Sequence, residues 1–153
     1  SVLNHVYPAA DIPIVQLSIN AAQPAAFHYE LGQALAPMRD EGVLILGSGN
    51  VVHNLGRYDW SGKNATAYSW ANEFEQQAKA LITDGNHQAL IDYHHLGDNA
   101  ALSIPTPEHY LPLLYVLGSG STTDRASFPV EGIEGGSVSM LAVQLDSAAQ
   151  VSR

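Results

Sequence analysis

The stretch "VLILGSGNVVHNL", residues 43–55, decides the fold. Val43 to Leu46 is a continuous apolar run ending at Gly47, as expected of a strand covered on both faces. Upstream, "IPIVQLSI" (12–19) has the β-branched residues and low charge of another strand. Between the two, Pro24 suits a first helical turn. Phe27, Leu31, Ala34, Leu35 and Met38 then repeat at helical spacing up to a capping Gly42. Pro37 falls late enough to kink or shorten that helix. Strand, helix, strand over 12–47 makes a βαβ unit, whose crossover rule gives a right-handed, parallel pair.

Further along, 56–69 reads as loop and 70–85 as a helix with Trp70, Phe74, Ala78 and Leu81 as its apolar line. A short helix fits 87–93, and 94–107 reads as irregular. "PEHYLPLLYVLG" (107–118) reads as a helix with Thr106 as N-cap, Pro107 at the first position and a bend at Pro112. "SGSTTDRAS" (119–127) is a polar turn. The run 128–146 ends in a strand, with Val138, Met140, Ala142 and Gln144 alternating against Ser139, Leu141 and Val143. The expected fold is α/β: a layered αβα arrangement with a mostly parallel or mixed central sheet, residues 1–153 forming a single domain. Three or four strands are few for this class, so the sheet reads as incomplete at its N-terminus.

Composition removes several function classes. Net charge is −9, and the six Lys and Arg residues are scattered singly, so no basic stripe exists to follow a phosphate backbone or an anionic membrane surface. No apolar run reaches the roughly 18 residues of a membrane span. Cysteine is absent, which removes disulfides and thiolate metal sites and is consistent with a cytoplasmic protein. Any metal is left to histidines and carboxylates, a donor set that suits Fe, Mn or Zn.

"GSGNVV" invites a nucleotide-binding reading, but Val52 stands where the dinucleotide fingerprint has its third glycine, and no Gly-Lys-Ser/Thr follows. The glycines read instead as allowing a sharp turn at the strand's carboxyl end. Ligands of α/β sheets sit at such ends, which puts Asn50, His53 and Asn54 where a site is built. From the residues alone, His53 is either a site imidazole or a loop side chain bonded to a carbonyl. His109, with Glu108 beside it, lies in the first turn of the helix after "PTP". The positive end of that helix keeps an imidazole neutral and able to bind a metal, and an ordinary capping or packing role is equally open. His94 and His95 are adjacent and diverge. His28 reads as a boundary residue and His87 as solvated. No His-Glu-x-x-His pair exists, and "GSG" is too short for a nucleophile elbow.

"GSGNVVHNL", "PTPEHYLPLLYVLG" and "PVEGIEGGSVSML" together resemble the carboxyl-terminal half of class III extradiol ring-cleavage dioxygenases, most nearly the DOPA 4,5-dioxygenase type. "YPAADIPIVQLSIN" and the following helix extend the likeness over nearly the whole chain. The resemblance implies a mononuclear non-haem Fe(II), replaceable by Zn(II), that opens a catecholic small-molecule ring with O₂. It implies that His53 (in "NVVHN") and His109 (in "PEHY") are the metal and catalytic residues, either one serving as ligand or as acid/base. Asn54, Tyr110 and Trp60 are weaker expectations for substrate contact. The family's upstream "His-Gly-Ser-Pro", "Ser-Ala-His-Trp" and "Asp-His-Gly" motifs are absent from this chain, so a missing N-terminal segment or companion chain is expected to supply them. The alternative is a non-catalytic fragment or interaction module of that fold.

Overall fold

The apolar stripes read from the sequence become helices that pack on one another. The computed structural model of the chain describes residues 2–61 and 65–147. Helix α1 spans Val2–Val6, α2 Ala25–Leu35 and α3 Pro37–Asp40. Pro37 splits the expected long helix: it cannot donate to the preceding turn, so α2 stops and a new turn begins. Gly42, at φ +85°, ends that turn in the left-handed region. Helix α4, Ser69–Thr83, turns Ala71, Phe74, Ala78 and Ile82 into the core. Helix α5, His87–Ile91, is capped by Asn86, whose side chain accepts the N–H of Ala89.

Helix α6, Asp98–Ser103, lies in the stretch expected to be irregular. Six residues are too few to show a period, yet Ala100 and Ser103 are buried against α4. Helix α7, Leu111–Gly118, carries Pro112 in its first turn, and the helix expected over 107–118 begins instead with a separate 3₁₀ turn, Pro107–His109. Helices α2 and α7 touch backbone to backbone. A Cβ on Gly32 would lie 2.4 Å from the carbonyl oxygen of Tyr115, and one on Gly118 2.2 Å from that of Tyr29. His28 is sealed in this seam, sharing a 2.9 Å hydrogen bond between its Nδ1 and the Tyr115 hydroxyl. It is a core residue and not the boundary residue expected. His87 shares a 2.9 Å bond with the Tyr29 hydroxyl and is likewise not simply solvated.

Strands β1 (Arg125–Val130) and β4 (Ala142–Asp146) pair antiparallel, as do β2 (Ile133–Glu134) and β3 (Val138–Ser139). The expected polar turn thus runs into strand β1. The single strand expected at 138–144 is broken: the Met140 N–H donates to Gly132 and the Leu141 N–H to Ser139 Oγ. The mix of helices and small sheets is that of an α/β layered domain. The parallel pairing of 12–19 with 43–47 is not formed among the described residues. Neither segment is a strand: residues 12–19 and 44–49 make no backbone hydrogen bond there, and Val15, Leu17, Leu44 and Leu46 are exposed. A strand-like sequence without a ladder partner explains the difference: periodicity favours strand conformation, whereas pairing needs a second chain segment beside it.

Candidate active site

Residues 50–54 are fixed from three sides. Val51 and Val52 are buried in the core. The His53 N–H donates to the Ser103 carbonyl at 2.9 Å, and the Asn54 N–H to the Ser137 carbonyl at 3.1 Å. Ser137 Oγ returns a bond to the Asn54 carbonyl at 2.8 Å, and His53 forms an antiparallel bridge with Val138. His109 closes a 3₁₀ turn, Pro107–His109, immediately ahead of α7.

The glycines of "GSG" bring these two segments together. A Cβ on Gly49 would lie 2.1 Å from the His109 carbonyl oxygen, and one on Gly47 2.6 Å from that of Pro112. Neither glycine has a positive φ. Their reason is close approach and not the sharp turn expected from the sequence. The Asn50 N–H completes the join, donating to the His109 carbonyl at 2.8 Å.

The outcome is a stacked pair of imidazoles. The His53 and His109 rings lie 3.6 Å apart, centroid to centroid, and 19° from parallel. Desolvation, with the neighbouring His109, lowers the pKa of His53 below the ordinary histidine value, against a smaller opposing pull from Glu108. His53 is therefore neutral near pH 7, the form that binds a metal or accepts a proton. Glu108 Oε1 is 4.0 Å from His109 Nε2, beyond a hydrogen bond. The Thr106 hydroxyl donates to Glu108 at 2.8 Å instead of capping the helix, and that bond is the main reason the Glu108 carboxyl lies below its usual range.

The remaining candidates separate. Asn54 Nδ2 donates to the Leu102 carbonyl at 2.7 Å, so its amide anchors the loop to α6. Tyr110 corrects the expectation of a substrate contact: it is 1% exposed, and its hydroxyl donates to the Leu90 carbonyl at 2.8 Å. Trp60 is exposed and packs on Tyr58, with ring centroids 4.5 Å apart. An open hollow of about 410 Å³ beside Pro105, Pro107 and Leu111 is lined by neither His53 nor His109.

Two adjacent neutral-capable nitrogen donors suit a first-row metal such as iron or zinc. No group of three His, Cys, Asp or Glu able to hold an ion occurs among the described residues.

Residues 2–139 match the family model described as the catalytic LigB subunit of aromatic ring-opening dioxygenase. The chain belongs to the LigB family. It is 50% identical to the 4,5-DOPA dioxygenase extradiol of Escherichia coli K12 over 149 residues, covering 94% of this chain and 54% of that protein. It is 37% identical to the protein of the same name from Beta vulgaris, covering 88% of this chain and 49% of the relative. A crystal structure of an uncharacterised Escherichia coli K12 protein superposes with a TM-score of 0.88 at 49% identity, over 95% of this chain and 60% of that one. The chain thus spans about half the length of the curated relatives it matches. Within the LigB match, the segments bearing His53 and His109 are the ones that Asn50 and the two glycines bind together.

Proposed function

We propose that the protein carrying this chain is a non-haem, iron-dependent extradiol dioxygenase that opens a DOPA-like catechol with O₂. The observation that carries this reading is the stacked His53–His109 pair, built from segments remote in sequence and locked by backbone bonds. The relatives named as 4,5-DOPA dioxygenases support the substrate class.

His53 and His109 are both able to hold the metal through a ring nitrogen, and Zn(II) suits the same donors. A bound ferrous ion supplies the Lewis acidity toward the diol and the route to O₂. This chain's own part is positioning and proton handling. Whichever of the two rings is not engaged as a ligand accepts a proton from a catechol hydroxyl at its ring nitrogen and returns it during ring opening. His53, held neutral by desolvation, is suited to either duty. The exposed Trp60 remains our choice for a substrate contact, with Asn54 holding the loop beside it.

Two donors do not complete a metal site, and the segments at 12–19 and 43–47 lack ladder partners among the described residues. Both features support further ligands and strands supplied by an N-terminal segment or companion chain. By itself the present chain fits the second reading, a non-catalytic fragment of the fold, because no group of three donors occurs among the described residues. No helix among the described residues is long and apolar enough to cross a membrane. A cytoplasmic location is our reading, with which the absence of cysteine is consistent.

The test is O₂ consumption with L-DOPA or catechol by the full-length, iron-loaded protein and by its His53→Ala and His109→Ala variants. Loss of ring opening in both, with the fold retained, is expected. Near-normal turnover in either variant removes that histidine from the mechanism.

A further inference from the structure

A carboxylate buried behind the histidine pair has no part in the site as built so far. Glu75 lies on the inward face of α4 with Ala71, Phe74, Ala78 and Ile82, and it is 3% exposed. An acid at such a position costs several kcal/mol unless its oxygens are satisfied, and an apolar side chain would pack there with no such cost. Its Oε2 accepts a hydrogen bond from Ser139 Oγ at 2.5 Å.

Ser139 holds the segment that carries His53 at two points, and that segment in turn holds the turn of His109. Its N–H donates to the Val52 carbonyl at 2.9 Å, next to His53. Its carbonyl accepts from Asn50 Nδ2 at 2.7 Å, and the Asn50 N–H holds the His109 carbonyl. Its Oγ also accepts the Leu141 N–H at 3.1 Å, which fixes the break between β3 and β4. Glu75 thus grips a side chain whose backbone holds the loop of His53 at Val52 and Asn50, and Asn50 carries that hold on to the turn of His109.

We propose that Glu75 is a positioning residue: through Ser139 its carboxylate sets the placement of His53 relative to His109. The role in catalysis rests on the dioxygenase reading above; the placement itself does not. Buried partners that orient metal-binding imidazoles commonly contribute about 10- to 100-fold in metal affinity, which sets the size of effect expected.

The experiment uses the full-length protein with Glu75→Ala, Glu75→Gln and Ser139→Ala. In the metal-free protein, NMR of the histidine ring protons reads the mutual ring-current shift of two imidazoles stacked at 3.6 Å. Titration with Co(II) reads affinity and the visible spectrum of the site. Glu75→Ala and Ser139→Ala should lose the ring-current shift and bind Co(II) about tenfold or more weakly. Glu75→Gln, whose amide oxygen still accepts from Ser139, should retain most of both, a rescue that loss of general packing does not give. Should Glu75→Ala fail to fold, Ser139→Ala, which deletes one hydroxyl, decides alone. Folded variants with the wild-type ring-current shift and Co(II) spectrum overturn the proposal. A wild-type protein that shows the stacked pair but neither binds metal nor opens a catechol overturns the dioxygenase reading and leaves the positioning role to stand or fall on the ring-current result.

Discussion

His53 and His109 meet because small residues and one amide let two chain segments touch. Gly49→Ala places a methyl group on the His109 carbonyl, an overlap that only backbone movement relieves. We expect it to destabilise the protein by about 1–3 kcal/mol, as overpacking does, and to separate the rings. Denaturant unfolding reads the first effect and the histidine ring-proton shifts read the second; unchanged values for both would remove the close-approach argument. Asn50→Ala strips the Ser139 carbonyl of its amide donor, a loss worth about 1–3 kcal/mol for a buried acceptor. An unfolding midpoint equal to wild type would show that solvent replaces the bond. The two histidines were visible in the sequence, one after an expected strand and one at the start of an expected helix, but their contact was not. Nothing in "NVVHN" or "PEHY" encodes a 3.6 Å separation; that follows from Gly49 and Asn50 reading the backbone of the other segment. Tyr110 illustrates the opposite error, since adjacency to a site histidine says nothing about which way a side chain turns.

At the scale of elements, the seam between α2 and α7 makes stability depend on pH. Burial lowers the pKa of His28, against a smaller opposing pull from the Gln23 backbone. The unfolded chain therefore takes up a proton near the ordinary histidine pKa while the folded seam resists it. Stability should fall as pH drops below about 6.5 and level off below the folded value, with a slope of at most about 1.4 kcal/mol per pH unit from this one site. His53 and His87 are shifted in the same direction and add to the slope. His28→Phe should flatten the pH dependence of thermal unfolding, and an unaltered slope would assign it to the other histidines. The helices themselves were legible because their apolar periods run over ten or more residues, as with Phe74 and Ala78 in α4. Helix α6 was not, being a single short turn in a polar setting, and β1 was hidden because its sequence "RASFPV" carries turn residues and a proline. Glu75 stood in plain view at an apolar-face position, where an acid is itself the signal.

For the whole molecule, the anomaly is the apolar surface of residues 12–19 and 43–47. Val15 is 95% exposed, with Ile14, Leu17, Leu44 and Leu46 also open to water. An exposed patch of strand-forming residues without ladder partners promotes association. Expressed alone, these 153 residues should self-associate and bind an apolar dye, and both signals should vanish in the full-length protein. A monomeric, dye-free isolated chain would show that the strands need no partner. The α/β class was legible from alternating strand and helix patterns. The parallel pairing was not realised: residues 12–19 and 44–49 make no backbone hydrogen bond among the described residues.

The central claim is that His53 and His109 serve one iron site at this rim, one as ligand and the other as proton carrier. Anomalous diffraction at the iron edge from crystals of the full-length, iron-loaded protein tests it most directly. The account predicts a single peak within about 2.0–2.3 Å of a ring nitrogen of one of His53 and His109, with the other ring beside it and free to carry a proton. A peak bound elsewhere, with these two rings still stacked and uncoordinated, would contradict it.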